Sequence, residues 1–391
     1  MKYRKDKYGA ELSALGYGCM RFSKKRGSID IEKAEREIMA AIEGGVNYFD
    51  TAYTYLGSEA ALGKILADNN CRDKVYIATK LPVPVVNREA RINQIFEKQL
   101  ERLRTDHIDY YLMHTITDIV QWDRMIRLGI IDWIKEQKEK GRIRNIGFSF
   151  HGNTDMFLKV LDAYDWDFCQ IQYNYMDEIS QAGRIGLKAA HKKGIPVIIM
   201  EPLRGGILVN MLPDKAKKLM QEHETKRSPA EWAFRWLYDQ PEVTVVLSGM
   251  NSMEMVRENI RIAHDALAGS FGEEDFKMIN RVRGILAETE KVGCTGCGYC
   301  MPCHRGVDIP GIFQCYNRIG SEGKSKGRYE YMLLTGLKKK STGAGNCIDC
   351  GICEAKCPQQ IKIAEELKKA RRELETPIYK GLRLISGFIF R

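Results

Sequence analysis

The sequence predicts an α/β protein, a closed (β/α)8 TIM barrel followed by a small, mainly α-helical domain. Three observations carry this. Eight apolar runs rich in Val, Ile, Tyr and Phe alternate with charged amphipathic segments between residues 14 and 264. No GxGxxG turn follows the first run, where an open doubly wound sheet usually has one. Near residue 290 the composition changes, and eight of the twelve cysteines stand in two runs beyond it.

The apolar runs are 14–22, 48–52, 75–80, 108–114, 143–150, 168–174, 196–202 and 243–249. They are continuous rather than alternating, as parallel strands covered by helices are. Segments 31–43, 89–104, 122–140 and 181–193 have apolar residues at helical spacing and read as covering helices. Eight strand–helix units suit a closed barrel; an open doubly wound sheet is the competing arrangement. Residues 265–291 read as one further helix. The expected division is a barrel over 1–287 and a second domain over 288–391.

The chain has 391 residues, 44% hydrophobic and 29% charged, an ordinary globular balance. No stretch is long and apolar enough to span a membrane, and the N-terminus lacks the apolar core of a signal peptide. A cytoplasmic protein with no membrane partner is expected. The apolar end LISGFIF is expected to pack on its own domain. The net charge of +10 is uneven: residues 292–391 hold 17 Lys+Arg against 9 Asp+Glu. A basic tail admits nucleic acid or an acidic protein as partner, though a solvated surface is its ordinary reading.

The second cysteine run, Cys347, Cys350, Cys353 and Cys357 before Pro358, is C-x2-C-x2-C-x3-C-P, the iron–sulfur run of bacterial ferredoxins. The first run, Cys294, Cys297, Cys300 and Cys303, has a shorter last spacing, and His304 stands where proline is usual. In two-cluster proteins the fourth cysteine of a run ligates the other cluster. That pattern assigns Cys294, Cys297, Cys300 and Cys357 to one 4Fe–4S cluster, and Cys347, Cys350, Cys353 and Cys303 to a second. Zinc sites generally use C-x2-C pairs rather than triples, and disulfides do not suit a chain without a secretion signal. The longer connection, 304–346, has helix-like segments, so the domain resembles the α-helical ferredoxin type. Each oxidised cluster with its thiolates carries roughly two negative charges, cancelling about half of the tail's positive excess. Nucleic acid is therefore not the expected partner. A basic rim suits an acidic redox protein, a ferredoxin or flavodoxin.

Four residues fall at or just past the C-terminal ends of successive strands, where barrel enzymes keep their active sites. They are Asp50 in "YFD", Tyr55 in "DTAYTYLGSE", Lys80 in "YIATK" and His114 in "YYLMH". The stretches "GVNYFDTAYTYLGSEAALGKIL", "VYIATK", "IDYYLMH", "IRNIGFSF", "FCQIQYN" and "MEPLRGG" closely resemble the aldo-keto reductase family over about residues 10–264. The resemblance implies an NAD(P)H-dependent oxidoreductase acting on a small carbonyl or alcohol, with Asp50, Tyr55, Lys80 and His114 as its catalytic tetrad. Tyr55 would give a proton to the carbonyl oxygen. A phenol is a reluctant acid–base at neutral pH, and a neighbouring ammonium, Lys80, stabilises its phenolate. Asp50 would orient Lys80, and His114 would hydrogen-bond the carbonyl.

The resemblance also implies a nicotinamide site: Ser149 and Gln170 on the carboxamide, Met200 where an aromatic residue commonly stacks, and Leu203, Gly205 and Gly206 at the pyrophosphate. Glu258 and Asn259 fall at the adenine position. Gly249, Met250 and Met255 occupy the places of the usual 2′-phosphate clamp, leaving Arg257 or Arg204 as substitutes. NADH and NADPH stay open. Segments 115–129 and 204–226 are candidate pocket walls, with Trp122 and Met125 as linings.

Nicotinamide exchanges two electrons and iron–sulfur clusters one, and no flavin site is evident. The leading reading is a carbonyl or alcohol oxidoreductase with structural or modulatory clusters. The alternatives are a ferredoxin-linked reductase fed through the clusters and a nicotinamide- or redox-sensing module.

Overall fold

The computed structural model describes residues 1–336 and 340–389, with side chains described as far as residue 383. The LISGFIF side chains lie outside the described residues. Two compact units are present: Met1–Pro202 with Glu231–Phe271, and Leu203–Ala230 with the chain from Gly272 onward.

The first unit is built on a closed barrel of eight parallel strands, β1 Leu15–Gly18, β2 Tyr48–Asp50, β3 Tyr76–Pro82, β4 Ile108–Ile116, β5 Ile143–Phe150, β6 Phe168–Gln172, β7 Val197–Met200 and β8 Val243–Ser248. All eight fall on the apolar runs: five are shorter than their run, β5 matches it, and β3 and β4 continue two residues beyond it. The first run is strand only to Gly18, after which Cys19–Arg21 forms a 3-10 turn. The sheet closes where β8 pairs β1, with Val246 opposite Leu15 and Ser248 opposite Tyr17. Gly16 is required at that seam, because a Cβ there would stand 2.7 Å from Leu247 and 2.8 Å from Val245. Tyr48, Ala78, Tyr110, Leu112, Phe168, Ile198 and Val245 fill the interior, joined by Leu12 from a short N-terminal hairpin. The Tyr110 ring meets Tyr48 at 5.2 Å and Phe168 at 5.1 Å. A closely packed interior of this kind makes the barrel a solid core rather than a pore.

The helices begin where short polar side chains cap them. Asp30 accepts from the Lys33 amide ahead of Ile31–Glu43, Asp118 from Gln121, Asn153 from Met156 and Ser252 from Met255. Two sequence expectations are corrected. The single helix over 122–140 is two, Ile119–Arg127 and Ile130–Glu139, because Gly129 turns left-handed at φ +79°. The helix over 265–291 is Glu273–Thr289, started afresh at Gly272 after Gly269 takes φ +69°.

In the second unit, helices Ile309–Glu322 and Ile363–Leu374 share a core of Val292, Ile312, Phe313, Tyr316, Ile319, Tyr331, Leu367 and Leu374, with most of the late cysteines against its edge. Asn317 anchors the entry to the first cysteine run: its amide donates to Val292 O at 2.7 Å, and its oxygen accepts from the Lys291 and Val292 amides. Tyr331 does the same for the second. Its hydroxyl donates to Glu375 and accepts from the Ala344 amide at 2.8 Å.

Candidate active site and cysteine cavity

At the C-terminal ends of the barrel strands, Lys80 is fully buried and its Nζ lies 2.6 Å from Asp50 Oδ1 and 2.6 Å from Thr51 O. Tyr55 sits in the turn after β2. Its amide donates to Ala52 O, and the next turn closes through Ser58 N to Tyr55 O. Gly57 supplies the φ of +79° that lets helix Ser58–Asp68 start there. Ser58 Oγ then meets Thr51 Oγ1 at 2.8 Å and Cys19 O at 2.9 Å, so the loop that presents Tyr55 is fixed from below. The Lys80 ammonium stands 5.0 Å from the Tyr55 ring centroid. The Tyr55 and His114 rings meet edge to face at 6.0 Å. Asp50, Tyr55, Lys80 and His114 are therefore gathered in one place.

Burial pulls Lys80 below the ordinary lysine value, against the opposing pull of Asp50. His114 is driven well below the ordinary histidine value, chiefly by burial and then by Lys80. It is neutral at pH 7, with one ring nitrogen to donate and one to accept.

Two residues that sequence reasoning passes over complete the site. Glu59, 2% exposed, accepts from Thr79 Oγ1 at 2.7 Å, Gln99 Nε2 at 2.8 Å and Arg102 Nη1 at 3.0 Å. Gln99 reaches Lys80 O, and Tyr111 donates to Gln99 Oε1. This buried carboxylate braces the strand that holds Lys80. The second is His151, one residue past β5 and 5% exposed, whose pKa burial lowers to about 4. A hydrogen bond joins it to Gln181, which donates to Gln172, which donates to Asp177. The only sequence signal for either was position: Glu59 follows Gly57 in "LGSE", and His151 ends "GFSFH". Gln181 (φ +55°) and Glu201 (φ +56°), left-handed without being glycine, belong to the loops after β6 and β7, and Thr115 (φ +63°) lies near the end of β4 where its register against β5 shifts.

Ser149 and Gln170 are buried and directly opposite each other on β5 and β6, and Met200 ends β7 opposite Gln172. Ser149 Oγ accepts from the Thr115 amide at 2.9 Å, leaving its O–H to donate. Gln170 Nε2 donates to Asp50 Oδ2 at 2.9 Å. A hydroxyl donor, an amide and a thioether on adjacent strand ends fit a nicotinamide carboxamide and ring. Asn259 is 5% exposed and its Nδ2 is committed to Ser248 Oγ, while its neighbour Glu258 is half-buried. Leu203, Gly205 and Gly206 belong to the second unit, the two glycines at φ +69° and +96°. Arg204 is paired with Glu290 at 2.7 Å, which commits it elsewhere as a phosphate clamp. Met250 is buried and its carbonyl accepts from Tyr17. Trp122 and Met125 are not pocket linings: both are wholly buried, and Trp122 packs on Trp166 at 4.7 Å.

In the second unit the two cysteine runs fold alike. Gly296 and Gly298 in the first, and Asp349 and Gly351 at the matching places in the second, all take φ between +62° and +80°. These left-handed residues turn each loop so that its thiols face inward. Cys294, Cys297, Cys300 and Cys357 line one cavity, with Thr295, Phe313 and Ile363. The Cys300 thiol is pushed up to about 12 by burial, then by Cys294, Cys297 and Cys357 beside it. Cys353 is raised by burial, with Cys347 and Cys303 adding to it. The first neighbourhood holds Cys294, Cys297, Cys300 and Cys357, and the second brings Cys347 and Cys303 beside Cys353. Among the described residues no three His, Cys, Asp or Glu side chains could hold a single metal ion. A lone zinc draws every sulfur to about 2.3 Å; a four-iron cube takes each thiolate on a different iron and needs a wider ring. Four thiols lining one cavity are a donor set that suits a four-iron cube.

The closed barrel, with Asp50, Tyr55, Lys80 and His114 gathered at its strand ends, has the architecture of a barrel oxidoreductase. The Aldo/keto reductase family model matches residues 14–283, and the chain belongs to that family of NAD(P)H-dependent oxidoreductases. A 4Fe-4S dicluster domain matches residues 293–362. The chain is 26% identical over 315 residues to the uncharacterized oxidoreductase YrpG of Bacillus subtilis, covering 70% of this chain and 93% of that one. It is 26% identical over 272 residues to L-galactose dehydrogenase of Arabidopsis thaliana, covering 64% and 84%. Among solved structures, aldo-keto reductase AKR11C1 from Bacillus halodurans in its holo form aligns with TM-score 0.60 at 26% identity, over 72% of this chain and 96% of that one.

Proposed function

We propose that the barrel interconverts a small carbonyl compound and its alcohol with NAD(P)H, Tyr55 acting as general acid, and that the second unit holds two 4Fe–4S clusters in a structural or modulatory role. One observation carries the first part: a buried lysine, charge-balanced by Asp50 at 2.6 Å, stands over the ring of Tyr55 with a neutral His114 at its edge. NAD(P)H, when bound, supplies the hydride. Ser149, Gln170 and Met200 are the residues proposed to hold its nicotinamide, Leu203, Gly205 and Gly206 its pyrophosphate, and Glu258 and Asn259 its adenine. His114 hydrogen-bonds the carbonyl oxygen and orients it. Tyr55 gives that oxygen its proton as the carbon is reduced, and the alcohol forms. The tyrosinate left behind is stabilised by the Lys80 ammonium, with Asp50 keeping Lys80 charged in a buried place. Tyr55 is reset by a proton from solvent.

The two clusters are supported by the separate gathering of two cysteine sets, and when bound they supply one-electron chemistry. Thiolates kept reduced for this purpose imply the cytoplasm. A second reading, single-electron exchange with a ferredoxin or flavodoxin, is favoured by one feature: Cys350 is exposed, between Ile348 and Ile352 that are 55% and 54% exposed.

The test is an anaerobic preparation assayed for iron and sulfide, then for NADH and NADPH oxidation against a carbonyl panel. The account expects about eight irons per chain and carbonyl-dependent oxidation that Tyr55→Phe lowers by about 10² to 10⁴-fold. A panel with no oxidation in either form removes the enzyme reading.

A further inference from the structure

Thr295 lies between the first two cysteines of the first run and is 3% exposed. Its hydroxyl oxygen is buried without a hydrogen-bond partner in the protein. Thr295 also lines the cavity ringed by Cys294, Cys297, Cys300 and Cys357. A buried hydroxyl left unpaired is costly, on the order of 1–3 kcal/mol. Here the cavity it lines is the one shaped for an anionic cluster.

The second run has no counterpart. Ile348 holds the equivalent place, 55% exposed, next to the exposed Cys350. The two sites share loop geometry but differ at this place, where the first has a buried hydroxyl and the second an exposed isoleucine.

We infer that the Thr295 hydroxyl donates a hydrogen bond to a sulfur of the cluster held by Cys294, Cys297, Cys300 and Cys357, and raises that cluster's reduction potential above the value it would otherwise have. This rests on the reading that a cluster occupies that cavity. Reduction adds one negative charge to the cube. A donor aimed at its sulfur stabilises the reduced form more than the oxidised one, so the potential rises. Thr295 is a positioning and tuning residue: it ligates no iron and touches no substrate.

The experiment is an EPR-monitored redox titration of the full chain, reconstituted anaerobically, as wild type, Thr295→Val, Thr295→Ala and Thr295→Ser, each with its iron and sulfide content. With iron equal in all four, one of the two midpoints should fall in Val and Ala while the other stays fixed, and Ser should restore it. The expected change is about tenfold in the ratio of reduced to oxidised cluster at a given potential, about 59 mV for one electron. Unchanged midpoints in Val and Ala at full iron would overturn the inference, as would an equal fall of both. Iron lost from Val and Ala but kept in Ser would overturn it in favour of a purely structural hydroxyl. Wild-type protein with no cluster at these cysteines would overturn the cluster reading itself, which the iron content reports separately.

Discussion

The barrel site and the cysteine cavity solve the same problem in opposite ways. Both bury groups that are costly to bury. In the barrel the protein supplies partners to the groups around the site: Lys80 has Asp50, Glu59 has Thr79, Gln99 and Arg102, and His151 has Gln181. In the second unit, thiols and the Thr295 hydroxyl line one cavity, and that hydroxyl has no partner within the protein. A site completed by its own chain is preorganised before any ligand arrives. A site completed by a metal group makes binding part of folding.

Removing iron should break the comparison most sharply. Stripping the clusters with a chelator under reducing conditions should leave the barrel's cooperative melting intact and expose the 294–357 region to protease, with cleavage rising more than about tenfold. The free energy involved is on the order of 10 kcal/mol where a structural metal holds a small domain together. Equal protease resistance with and without iron would mean that helices Ile309–Glu322 and Ile363–Leu374 support the unit alone.

A smaller effect should follow from breaking the barrel's internal pairing. Lys80→Met leaves Asp50 buried without its cation, although Gln170 still donates to it. The barrel should lose about 3–5 kcal/mol in a urea titration, with iron content unchanged. A loss under about 1 kcal/mol would show that the pair is not the support described here.

The mildest effect is acid sensitivity. His151 is buried neutral with its pKa lowered to about 4, against 6.5 in an unfolded chain. Above pH 6.5 neither state takes the proton and no penalty exists. As pH falls from 6.5 toward 4 the unfolded chain gains a proton that the folded one refuses. Stability therefore falls by about 1.4 kcal/mol per pH unit from this group, and His114, also lowered by burial, adds to the slope. His151→Gln should flatten the curve relative to wild type across that window; parallel curves would contradict the assignment.

What could be read from the sequence differed between the regions for physical reasons. Asp50, Lys80 and His114 were legible because each falls at or near the end of an apolar run, and strand ends on one barrel share one rim. The iron–sulfur domain was legible because cluster ligation imposes local cysteine spacing. Glu59 was not, since its partners Gln99 and Arg102 are about forty residues away and only the packed helices bring them to it. Trp122 was misplaced because an apolar residue on a helix reads the same whether it faces a pocket or Trp166. The break at Gly129 was missed because a glycine within a helical pattern can continue or end it. Thr295 gave no signal at all: a hydroxyl beside a cysteine has no period.

The central claim is that proton delivery by Tyr55, sharpened by Lys80, accomplishes the reduction without electrons from the clusters. Anaerobic stopped-flow measurement of NAD(P)H oxidation by a carbonyl substrate, comparing wild type, Cys350→Ser and Tyr55→Phe, tests it most directly. The account predicts that Cys350→Ser, folded but depleted of one cluster, keeps the hydride-transfer rate within about threefold while Tyr55→Phe loses at least about 10² of it. A rate that collapses in Cys350→Ser and survives in Tyr55→Phe would contradict it.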